Sequence, residues 1–144
     1  KEVTEKVISR IQQLDHTSRP SWGIMSVDKM LAHLCVQYEM VYTDKFKKPN
    51  RLLRFILASF IKKSVVSEKA YPKNIRTAPQ FMITDQRDFE VEKKRLIDFI
   101  KKTQELGEDY FDGKESHSFG KLKKNEWNNL FYKHIDHHLN QFGV

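Results

Sequence analysis

Cysteine is almost absent from this chain, and Cys35 stands alone among 144 residues. One cysteine makes no internal disulfide framework and no CxxC site, and it fits a reducing, cytoplasmic compartment. Glycine and proline are also scarce, at five and four residues. That excludes collagen-like and low-complexity chains, and so few turn formers argue against a strand-rich sandwich. Long hydrophobic runs are missing. The longest stretch dominated by apolar residues is Phe55–Ile61, whereas a membrane span needs about 20 residues. The opening KEVTEKVISRIQ is charged and lacks the apolar core of a signal peptide. No Gly-rich phosphate loop, no G-x-S-x-G elbow and no inward ExxH pair occurs.

What is present suffices for one helical domain over residues 1–144. Apolar residues make up 39% and aromatics 12%, with ten Phe, which supplies a core and argues against disorder. The net charge of +7 is unevenly placed. Lys45–Arg76 holds ten Lys/Arg against the single acid Glu68, a balance of +9, and the remainder is close to neutral at −2. Such a segment can meet an anionic membrane or nucleic acid, though solvated charge is the commoner reason for one.

Apolar spacing reads as helices along most of the chain. Val3, Val7, Ile8, Ile11 and Leu14 line one face of a first helix over Glu2–Leu14. Ser26 is placed to cap a second, with Asp28 in its first turn, running to about Asp44. Arg51–Val65 predicts a shorter helix. The pattern then fades to Arg87, with an extended piece expected at Phe81–Thr84. Asp88 starts another long helix that Gly107 stops. Glu108–Leu122 reads as a loop, and Lys124–Phe142 as the last helix. The expected fold is all-α: a four-helix bundle with a long crossover between the second and third long helices, carrying an extra short helix.

The last helix carries the chemistry. With about 100° per residue, Trp127, Phe131, His134, His138 and Phe142 fall within one face, and His137 falls at its margin. His134 and His138 stand one turn apart, the HxxxH spacing used in helical zinc sites. Such a pair alone is often ordinary burial, but each buried ring needs partners for both nitrogens. His33, mid-helix in MLAHLCVQYEM on the face of Met30 and Met40, is the candidate third ligand. Gln37 falls within about 40° of it. Three neutral imidazoles leave a divalent ion its charge and leave positions open for water or substrate, the mark of a catalytic site. Nitrogen ligands suit Zn, Ni, Fe or Cu rather than Mg or Ca.

The stretches SWGIMSVDKMLAHL, SFGKL and EWNNLFYKHIDHHLNQFG together resemble the DinB/YfiT-like superfamily, in a branch of unknown function. The resemblance covers about residues 3 to 144, most specifically the terminal KHxxHHxxQFG pattern and only loosely residues 45–87. It implies a four-helix bundle and one divalent metal ion; the ion expected is Zn or Ni first and Fe or Mn next. The ligands it implies are His33, His134 and His138. It further implies chemistry on low-molecular-weight thiols and small electrophiles. The chain departs from the branch at Lys123, where a capping Thr is common, and at Ser118, where Pro is common.

Other residues have second readings. His137 could replace His138, and Asp136 or Gln141 could orient a ligand ring. His117 is expected to be exposed on its loop, Cys35 to lie opposite His33, and Trp22 and Trp127 to pack. Tyr38, Tyr42 or Tyr132 could lend a hydroxyl. The expected function is metal-dependent activation of a water or thiol toward a small electrophile. The expected partners are a small-molecule substrate and a second copy of the chain, without nucleic acid. The alternatives are a metal-dependent hydrolase, or a binding protein that uses residues 45–76 on an anionic surface.

Overall fold

The computed structural model describes residues 1–144, and helix dominates it. The long helices are α1 (Glu2–Gln12), α2 (Val27–Tyr42), α5 (Phe89–Leu106) and α7 (Lys124–Gln141). Their ends follow local chemistry. Asp88 accepts from the Val91 N–H at 2.9 Å and starts α5, and Gly107, at φ 74°, stops it. Ser26 occupies the position before α2 but its side chain makes no capping bond. At α7, Glu126 accepts from the Lys123 N–H and Asp112 from the Lys124 N–H, so a neighbouring turn supplies what Lys123 lacks.

The helix α2 packs between α5 and α7, and α1 closes against the same two. Every residue from Met30 to Glu39 is buried, so α2 is wrapped on all sides. A helix so placed is normally apolar all round. Here His33, Gln37 and Glu39 interrupt it, and each needs a partner. Arg95 of α5 and Lys45 supply partners for Glu39 at 2.7 and 3.0 Å. Tyr38 stacks between Phe99 and Phe131, with ring centroids 5.5 and 5.1 Å away. Trp127 and Phe111 extend that stack, and it forms one core with Leu34, Leu96 and Leu139.

Between α2 and α5 the chain crosses over through a continuous helical stretch. It comprises α3 (Arg51–Ile56), a π turn (Leu57–Ile61) and α4 (Lys62–Val66). Asn50 caps its start by accepting from the Leu53 N–H. A 3-10 turn at Pro79–Phe81 takes the first residue of the extended piece expected at Phe81–Thr84, and Met82 after it has extended backbone, at φ −77° and ψ 117°. Proline fixes the φ that starts such a turn. The expected loop at 108–122 instead holds one helical turn, α6 (Glu108–Phe111). A two-stranded hairpin follows, with β1 (Glu115–Ser116) paired to β2 (Gly120–Lys121). Elements of two to four residues carry no readable period. No helix is long and apolar enough to cross a membrane.

Candidate metal centre

Three imidazoles meet where α2 faces α7. His33 Nε2 lies 2.8 Å from His134 Nε2 and 3.1 Å from His138 Nε2, and the three nitrogen atoms all lie within 4.8 Å of one another. His33 and His138 are buried and His134 is half-buried. Phe81, at the end of the crossover, lays its ring against both His33 and His134.

The proton positions follow from three backbone carbonyls, which can only accept. The Phe81 carbonyl lies 2.9 Å from His33 Nδ1, so that nitrogen carries the hydrogen. Leu130 O accepts from Gln37 Nε2 at 2.9 Å, which turns Gln37 Oε1 toward His134 Nδ1 at 2.6 Å. Trp22 O accepts from Gln141 Nε2 at 2.7 Å, which turns Gln141 Oε1 toward His138 Nδ1 at 2.8 Å. All three rings therefore donate from Nδ1, and three bare Nε2 lone pairs converge. Facing lone pairs repel one another unless something positive lies between them. Bonds of about 2.0–2.1 Å to a shared ion place ligand nitrogens roughly 3 Å apart, and the separations of His33 from His134 and from His138 are of that size. A ring nitrogen donating to an oxygen is also the usual outer support of a metal-bound histidine.

The electrostatics agree with neutral rings. Burial pushes all three imidazoles below their ordinary range. His33 acts next on His134 and on His138, and His138 falls to about 3. The group is able to hold one metal ion.

Residues around the site sort into those it uses and those it leaves aside. Gln141 orients a ring, whereas Asp136 accepts from Arg10 at 2.7 Å and from Asn140. His137 stays outside the cluster and packs edge-on against Trp22 and Tyr71. With Tyr132 and Lys133 they line a cleft of about 490 Å³ on the outer side of α7. Cys35 is buried, its thiol raised to about 12 by burial and its Sγ 3.9 Å from Glu92 O. Tyr38 is core, Tyr42 bonds Thr103 at 2.7 Å and Tyr132 is exposed. Trp127 packs in the core; Trp22 also serves the site through its carbonyl.

The expectation for His117 fails. It is buried, with Nδ1 2.9 Å from Ser118 Oγ and Nε2 without a partner, because the hairpin folds it inward. Two supports went unassigned from sequence. The spacing places Gln37 beside His33 but assigns it no role, and the Phe81 carbonyl leaves no side-chain signal.

A helical bundle with an interior histidine cluster able to hold a metal ion is the class these features define. Within it, residues 2–143 match the family described as protein of unknown function (DUF1569), and the chain belongs to that family. No curated protein and no solved structure matches the chain.

Proposed function

We propose that His33, His134 and His138 bind one divalent metal ion, Zn or Ni first and Fe or Mn next, in a single bundle domain spanning residues 1–144. We infer that the protein uses this ion to activate a water or low-molecular-weight thiol toward a small electrophile. The observation that carries the reading is the convergence of three Nε2 lone pairs, each ring oriented through Nδ1. A bound ion would supply Lewis-acid chemistry, lowering the pKa of a coordinated water or thiol toward neutrality. The protein's own part is orientation and exclusion. Gln37, Gln141 and the Phe81 carbonyl fix the rings, and the Phe81 ring covers His33 and His134 and limits water on that side. Three protein ligands leave room for a substrate atom, unlike a closed structural site. The resemblance to the DinB/YfiT-like superfamily supports the same assignment, since the bundle and the paired positions agree with what it implies.

The test is elemental analysis of untagged protein purified without added metal, alongside His33→Ala, His134→Ala and His138→Ala. About one ion per chain in the parent, lost in each variant, carries the reading. A parent that takes up none of Zn, Ni, Fe or Mn defeats it. Consumption of a low-molecular-weight thiol with an alkyl halide by the loaded parent then separates thiol transfer from hydrolysis, which proceeds without thiol.

A further inference from the structure

The crossover helix faces the wrong way for an ordinary surface helix. Two of its basic residues turn toward the protein: Arg54 pairs with Glu115, and Lys62 Nζ lies 3.0 Å from Glu126 Oε1. Its large apolar residues turn out. Leu52, Phe55 and Phe60 are 70%, 69% and 77% exposed, and Leu53, Ile56 and Ile61 are each more than two-fifths exposed. Scattered single apolar residues on a surface need no explanation, but a contiguous patch marks an interaction site. Leu52, Ile56 and Phe60 follow at four-residue intervals and form one stripe. The π turn winds less per residue than α-helix and keeps Phe60 in that stripe, and such turns recur at functional sites.

The helix is also fastened. Asn50 caps its start. Lys133 of α7 donates to Ser64 O at 2.6 Å and Ser67 O at 2.8 Å, and Asn129 donates to Val66 O at 2.9 Å. The stripe is thus displayed by a helix tied to the body through Arg54 near its start and through Lys133 and Asn129 at its end. Cations surround it. Lys47, Lys48, Arg51 and Lys63 are exposed and form no ion pair. Lys48 and Lys121 stand near enough to Glu115 to help hold its carboxyl below the usual range, which places both beside Arg54.

We propose that the helix Arg51–Val66 docks on an anionic lipid surface. Leu52, Phe55, Ile56 and Phe60 enter the headgroup boundary, and Lys47, Lys48, Arg51 and Lys63 meet the lipid phosphates. Charge complementarity selects this occupant. A two-fold contact between copies would lay the unpaired Lys47, Lys48, Arg51 and Lys63 of one against the same four cations of the other. Nucleic acid would use the cations but not an outward stripe of aliphatic and aromatic side chains. A basic helix with one apolar face is the usual form of an interfacial anchor. This inference is independent of the metal reading.

The test is sedimentation of the full chain with vesicles of phosphatidylcholine alone or mixed equally with phosphatidylglycerol. The expected result is binding to the anionic vesicles at about 50 mM salt and at least about tenfold weaker binding at about 500 mM. Phe55→Ser with Phe60→Ser should weaken binding at least about tenfold. Lys48→Gln and Arg51→Gln should cost about fivefold each. Both rings are exposed, so helicity and metal content should match the parent, and Leu52→Ser gives an independent second variant. No binding to anionic vesicles at low salt overturns the proposal. So does binding unchanged by the Phe pair, a lipid-free dimer that the Phe pair disrupts, or DNA binding tighter than vesicle binding.

Discussion

Acid should destabilise the metal-free protein before its carboxylates begin to protonate. His138 is buried and held at about 3 by burial and by His33, against about 6.5 in an unfolded chain. The unfolded state therefore takes up a proton that the folded state refuses. Stability from this group is fully present above the unfolded value and is lost as pH falls toward about 3. Between pH 7.5 and 5 the loss is about 2 kcal/mol for His138 alone. His33 and His134 are lowered in the same direction and add to it, as do His137 and His117 with smaller weight because they are partly solvated or peripheral. The lowered carboxyls of Asp28, Glu115 and Glu126 also oppose acid, but they act below about pH 5, where unfolded carboxylates titrate. The window from pH 7.5 to 5 thus isolates the histidines. The assay is urea unfolding in chelator, followed by circular dichroism at half-unit pH steps. The parent should lose at least about 2 kcal/mol, a large part of an ordinary domain's stability. His138→Gln should lose about 2 kcal/mol less across the same window. A free energy flat from pH 7.5 to 5 in the parent would refute a buried, neutral His138.

Three further outcomes follow from particular contacts. Gln37→Leu removes the acceptor for His134 Nδ1 and should weaken zinc or nickel affinity about 10–100-fold, measured by competition with a chromogenic chelator. Gly23→Ala puts a Cβ 2.9 Å from Gln141 Nε2 at a φ of +77°, so it should disturb the Gln141–His138 contact and lower metal affinity. Gly143→Ala, at φ +76° with open space around it, should strain the backbone and leave metal affinity unchanged. Lys133→Met leaves the Ser64 and Ser67 carbonyls without their donor, so it should cost about 1–3 kcal/mol in urea unfolding and speed hydrogen exchange across Arg51–Val66.

The sequence made legible what depends on helical period and left dark what depends on distance. Asp88 and Gly107 bounded α5 because caps act within a turn. The spacing of His134 and His138, with His33 on another apolar face, pointed to one meeting place because rotation along a helix is nearly fixed. The outward stripe at Leu52, Ile56 and Phe60 was visible as an apolar period, yet a period does not say which way its face points. The exposure of those side chains and the ion pairs of Arg54 and Lys62 with Glu115 and Glu126 reveal the reversal. His117 misled for a similar reason, since a hairpin of two-residue strands set its burial. The deepest omission is the proton arrangement. Three histidines of the same spacing could form a chain of ring-to-ring hydrogen bonds, with one Nε2 donating to the next. The carbonyls of Phe81, Leu130 and Trp22 forbid that by claiming the Nδ1 hydrogens, directly or through Gln37 and Gln141. Gln37 and Gln141 are visible as residue types, but the backbone oxygens that set their orientation and that of His33 are not. They are nonetheless what turns a buried polar trio into a set of three lone pairs aimed at one point.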